Sequence, residues 1–161
     1  MILSEEMIRY IENHRQEADS LLLELARIPA PSNHEERRAE FCLNWLKSQG
    51  ARGVYIDQAL NVVYPADVSQ DRPLDVFMAH MDVVFSVETE LPVRVEDGRI
   101  YCPGVGVDTA CLVCLLLAGK YIARHVDSPS WREIRGEDAP GLLLVCNAGE
   151  EGLGNLKGVR K

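Results

Sequence analysis

The chain has 161 residues, 47% of them hydrophobic, and a formal charge of -8. That apolar content can build a core, which excludes wholesale disorder, and the acidic balance excludes binding to nucleic acid or anionic lipid through basic stripes. The most apolar run, residues 111–119, is far shorter than the roughly 20 residues of a membrane span. Residues 1–6 lack the basic segment and apolar stretch of a signal peptide. A cytoplasmic protein with neither nucleic-acid nor membrane partners is expected. The five cysteines, an odd count without a secretion signal, are expected to be reduced thiols.

Residues 5–27 are predicted as one helix, because Met7, Ile8, Ile11, Leu21, Leu22, Leu25 and Ile28 recur at near-helical spacing. Ser4 suits its N-cap, Glu5 and Glu6 suit the positive end of its dipole, and Pro29 and Pro31 stop it. Ser32 followed by Glu35 is a capping-box pattern and predicts a second helix over about 33–49, ended by Gly50. Short strands are predicted at 54–56 and 62–64. Residues 74–79 form a compact apolar run of the kind buried on both faces of a sheet. Residues 93–96 and 99–101 flank Asp97-Gly98, a two-residue hairpin turn. The glycines at 104 and 106 lead into a third helix over about 109–124. Residues 127–140 read as an exposed polar loop, 141–146 as another buried strand, and 150–161 as a glycine-punctuated loop. Helices alternating with buried strands predict an α/β fold on a mixed sheet.

Three polar clusters fall at strand or loop ends, where open α/β sheets place their sites. The first is His80-Met81-Asp82, after the strand at 74–79. An imidazole ligates a divalent metal through one nitrogen, and a nearby carboxylate can hold the other N–H and fix the tautomer. The alternative is a histidine that only caps backbone carbonyls. The second is Pro103-Gly104-Val105-Gly106-Val107-Asp108-Thr109. It lacks the third glycine and the βαβ frame of a dinucleotide fingerprint, and a tight turn with Asp108 as helix N-cap explains it equally. The third is Asn147-Ala148-Gly149-Glu150-Glu151-Gly152. Adjacent carboxylates can divide labour, one binding metal while the other moves a proton. A solvated acidic loop is the bland reading. Cys111 and Cys114 lie in an apolar helix without a second pair, so they read as buried free thiols instead of zinc ligands.

In order and spacing, these clusters resemble the aminoacylase, glutamate carboxypeptidase and peptidase T family of di-zinc exopeptidases. The resemblance covers roughly residues 5–161. It is carried by residues 78–85 (MAHMDVVF), 97–106 (DGRIYCPGVG) and 150–158 (EEGLGNLKG). It implies that residues 1–161 form a single N-terminal portion of a three-layer α/β/α catalytic domain, truncated and without the family's lid domain. It also implies roles. His80 would bind one zinc, with Asp82 orienting it. Glu150 would be the general base and acid, and Glu151 would ligate the other zinc. The implied substrates are peptides and N-acyl amino acids.

Two departures from the family pattern shape the expectation. The carboxylate that bridges the two metals should fall at Val107, and valine has no lone pair to offer. Asp108 occupies the neighbouring position and serves as a ligand only through a one-residue slip. The remaining family ligands correspond to positions past Lys161. Zero or one zinc is therefore expected, on His80, Asp108 and Glu151, with impaired or absent hydrolysis. The alternative is a non-catalytic fragment of that fold that binds a partner or pairs with itself through an exposed sheet edge, giving a homo-oligomer.

Overall fold

The structure is a computed structural model and describes residues 4–69, 71–136 and 138–160. The predicted N-terminal helix is two helices, α1 (Glu5–Asn13) and α2 (Arg15–Ala26), broken at His14. Ser4 caps α1 by accepting the Met7 N–H at 3.2 Å. No residue of α1 is buried. The helix is tied to the body by Tyr10, whose hydroxyl donates to the Leu117 carbonyl at 2.9 Å while its ring stands edge-on to Tyr121. The α2 helix buries Leu21, Leu25 and Ala26, so the two apolar patches that looked like one stripe face different surroundings.

The helix α3 spans Glu36–Ser48 and starts later than the capping-box pattern predicts. Glu35 occupies the N-cap position without a side-chain cap bond, and Ser32 bonds elsewhere. The box does not form because both side chains are engaged by residues far along the chain.

Four strands make a mixed sheet: β1 (Tyr55–Ile56), β2 (Val62–Asp67), β3 (Leu74–His80) and β6 (Gly141–Asn147). Their order is β1-β2-β6-β3. The β6 strand is antiparallel to β2 and parallel to β3. The central β6 is buried almost throughout. The β3 strand is not buried on both faces as its composition predicts. It is an edge strand among the described residues, and Leu74, Val76, Phe77 and Met78 are exposed. An apolar run reports affinity for a sheet interior but not whether a second neighbour arrives.

The hairpin forms as predicted from β4 (Arg94–Glu96) and β5 (Arg99–Tyr101), with positive φ at both Asp97 and Gly98. The helix α4 spans Ala110–His125 and packs with α3 on the sheet face that carries Tyr64, Leu142, Leu144 and Cys146. Residues 105–125 are apolar enough to be compared with a membrane span. The regular helix has only 16 residues, however. Its Leu112, Val113 and Leu116 lie in the core, and its Lys120 donates to both oxygens of Glu17. Cys111 and Cys114 are free, as expected, but exposed instead of buried. An all-round apolar helix does not announce its inner face, and the thiols turn toward the β3 edge beside Phe77 and Met78.

The segment predicted as a polar loop contains α5 (Pro129–Arg135), which buries Trp131. Ser128 accepts the Trp131 N–H at 3.3 Å, with proline in the first helical position, so the start signal was present in the sequence.

The fit between α4 and the sheet rests on Gly119. A Cβ there would stand 2.9 Å from the Leu46 Cδ2 atom and 3.5 Å from that of Leu144. Gly119→Ala is expected to cost about 1 kcal/mol net, because displacing the packed Leu46 side chain outweighs the roughly 1 kcal/mol that alanine gains in helix propensity. A fall in the urea midpoint at unchanged slope checks this.

Candidate metal centre

The parallel pairing of β3 with β6 aligns His80 with Asn147 and sets the chain turns after both strands side by side. Met81 N–H donates to the Asn147 carbonyl at 2.8 Å and locks that alignment. His80, Glu150 and Glu151 are thereby brought together, with one ligand atom of each within 4.8 Å of the others. His80 Nε2 lies 3.8 Å from Glu150 Oε2 and 3.8 Å from Glu151 Oε1. Its Nδ1 lies 3.0 Å from the Asp82 carbonyl and 3.4 Å from Asp82 Oδ1. Nδ1 thus carries the proton toward Asp82, and Nε2 presents its lone pair to the two glutamates.

Asp82 organises the cluster. It is fully buried. Its Oδ1 accepts the Glu150 N–H at 3.0 Å, and its Oδ2 accepts the Glu151 N–H at 2.8 Å. Ser32 Oγ lies 2.7 Å from Oδ2 and 2.8 Å from the Glu151 carbonyl. Burial alone would push the Asp82 carboxyl up. The hydrogen bonds from His80, Ser32 and the two N–H groups outweigh it and hold the pKa at about 2. For His80, burial pulls the pKa down, but the hydrogen bond and charge of Asp82, with the charge of Asp108, leave it raised overall.

Asp108 falls outside the group of three. Its Oδ2 accepts the His80 backbone N–H at 3.1 Å, which places it behind His80. Val107 is 68% exposed, and its side chain offers the site no donor atom. Gly104, at φ 75°, lets the glycine loop lie against the turn after β3. A Cβ there would meet Val83 Cγ1 at 2.7 Å.

Sequence reasoning missed two other residues at this site. Glu35 is fully buried, and its Oε1 accepts the N–H groups of Asn33 and Gly149, both at 2.9 Å. Arg38 is also buried and donates to the Met81 carbonyl at 2.6 Å. Glu35 was read only as half of a local capping pattern and Arg38 belongs to no motif, so nothing in the sequence tied either to this site.

Can these residues hold a zinc-type ion? Ligand atoms around a tetrahedral ion at ~2.1 Å stand about 3.4 Å apart. The 3.8 Å separations seen here close to that value with small side-chain motion. One imidazole with a fixed tautomer and two carboxylates fit one ion, whether Glu150 would ligate it directly or hold a water beside it.

Sequence comparison finds no matching family profile and no matching curated protein. Comparison of folds does find relatives. Human carnosine dipeptidase 1 is similar over 92% of this chain and 35% of its own, at 16% identity and a TM-score of 0.67. A tripeptidase from Staphylococcus aureus is similar over 90% of this chain and 39% of its own, at 21% identity and a TM-score of 0.62. A dinuclear metal-binding peptidase of the M20 family from Bacillus subtilis matches over 85% of this chain and 36% of its own, at 14% identity and a TM-score of 0.50. The chain therefore has the mixed-sheet α/β fold found in these peptidases, and it spans little more than a third of the length of each.

Proposed function

We propose that the chain carries a single-metal centre of the amide-hydrolase kind, on the N-terminal portion of a metallopeptidase-like catalytic domain. One observation carries this reading: His80 Nε2 faces both Glu150 and Glu151 at 3.8 Å while Nδ1 is engaged by Asp82. In this reading His80 and Glu151 are ligands, and zinc is the ion. Glu150 is the more solvent-exposed of the two glutamates, with 41% of its side chain accessible against 26%, which suits the group that exchanges protons with water. Asp108 steadies His80 through the backbone instead of ligating. A bound zinc would supply Lewis acidity toward an amide carbonyl.

The structural neighbours are a dipeptidase, a tripeptidase and a metal-binding peptidase, which favours peptides as the substrate class, with N-acyl amino acids beside them. Because Val107 supplies no carboxylate between two ions, the centre holds one, and hydrolysis is weak or absent. A cytoplasmic location belongs to the same reading. A second reading rests on the exposed apolar edge of β3: two copies associate there, and the fold serves as an interaction module.

Zinc content after purification without chelator tests the first reading. About one zinc per chain is expected, lower in His80→Ala. A protein that takes up no zinc at micromolar concentration ends this reading. Light scattering tests the second, which needs a defined oligomer and is overturned by a monomer.

A further inference from the structure

We propose that Arg38 is a positioning residue for this centre, acting as a fork of hydrogen-bond donors that fixes the turn after β3 against the glycine loop. The inference rests on the metal-centre reading above and concerns what holds that centre in shape.

Arg38 is 1% exposed and forms no ion pair among the described residues. Burial makes its charge costly, and its Nε has no partner. An apolar side chain of similar volume is often the more stable choice at such a place. What the guanidinium does instead is bridge three segments. Nη2 donates to the Leu25 carbonyl, at the end of α2, at 2.9 Å. Nη1 donates to the Met81 carbonyl at 2.6 Å and reaches Thr109 Oγ1 at 3.4 Å. Thr109 in turn donates to the Gly104 carbonyl at 2.9 Å.

Met81 stands between His80, which faces the glutamates, and Asp82, which holds their backbones. Thr109 follows Asp108, whose carboxylate takes the His80 N–H. A single buried side chain therefore spans both loops that shape the imidazole's surroundings. The planar fork is the property that matters here. A lysine supplies the charge but not two rigidly spaced donors.

Charge and geometry predict opposite signs. A cation close to a metal site repels the metal, so a purely electrostatic Arg38 would make Arg38→Met bind zinc more tightly. A positioning Arg38 makes both Arg38→Met and Arg38→Lys bind more weakly. Removing a partner from the outer shell of a metal site lowers affinity about 10- to 100-fold.

The test is isothermal titration of the full chain with zinc chloride, with thermal melting of each apo protein alongside. Absorption of the cobalt(II)-loaded protein reports ligand geometry independently of activity. Arg38→Met and Arg38→Lys are expected to weaken zinc binding by about tenfold or more and to alter the cobalt spectrum. Arg37→Met, an exposed neighbour with the same change of charge, is expected to bind as wild type. Wild-type affinity in Arg38→Lys, or tighter binding in Arg38→Met, overturns the inference while leaving the metal centre standing. If neither Arg38 variant folds, Thr109→Val decides. It removes one arm of the same bridge, so weakened binding with an altered cobalt spectrum supports the inference, and unchanged binding overturns it. A wild-type chain that binds no zinc overturns the proposed function and this inference together.

Discussion

Asp82→Asn is expected to lower zinc affinity about 100-fold and to cost about 3 kcal/mol of stability. The Asp82 carboxylate is fully buried and accepts the N–H groups of Glu150 and Glu151 and the Ser32 hydroxyl. An asparagine turns one acceptor into an NH2 group facing donors. The turn that carries both glutamates then loses its anchor, and His80 loses its charged neighbour. The effect is also pH-dependent, with a fixed sign. The Asp82 pKa is about 2 in the folded protein and 3.8 ordinarily. The carboxylate therefore stabilises the fold above about pH 4, and this contribution is lost as pH falls from about 4 to about 2. The difference in pKa is worth about 2 kcal/mol. Urea unfolding from pH 2 to 7 should show that part of the acid slope in wild type and not in the variant. A variant with wild-type zinc affinity would remove Asp82 from the centre of the site.

Val107→Asp is expected to strengthen zinc binding by up to about thirtyfold. A carboxylate that swings to within about 4 Å of a divalent ion in near-aqueous dielectric gains about 2 kcal/mol, which sets that upper bound of about thirtyfold in affinity. Near-aqueous screening is the right regime because Val107 is 68% exposed. For the same reason the change should alter stability by no more than about 0.5 kcal/mol. Competition with a chromogenic chelator reads both affinity and stoichiometry. An unchanged affinity would mean that a carboxylate at 107 does not reach the ion, and would detach this loop from the role its sequence resemblance implies.

Much of this site was legible in the sequence. His80, Asp82, Glu150 and Glu151 each follow a strand that periodicity and composition located, and parallel pairing of β3 with β6 then brings them together. Asp108, expected as a ligand, lies on the loop beside the site, where its Oδ2 accepts the His80 backbone N–H. The Ser32 and Glu35 pair matched a local capping pattern, yet Ser32 bonds Asp82, 50 residues away, and Glu35 bonds Gly149, 114 residues away. A local pattern cannot announce a competing partner that arrives from elsewhere in the chain.

The sequence alone determined most of the elements, though not the break at His14 or the helix α5, together with the Asp97-Gly98 hairpin and the order of the acidic and imidazole groups. These depend on side-chain period and on residues that tolerate positive φ, which are properties of neighbours in the chain. Only the tertiary structure decided that β3 is an edge among the described residues, that Cys111 and Cys114 face outward, and that Arg38 is buried behind the site. Exposure and hydrogen-bond partnership depend on which surfaces meet. For Arg38 the deciding acceptors lie on α2, after β3 and before α4, and only folding brings them to one point.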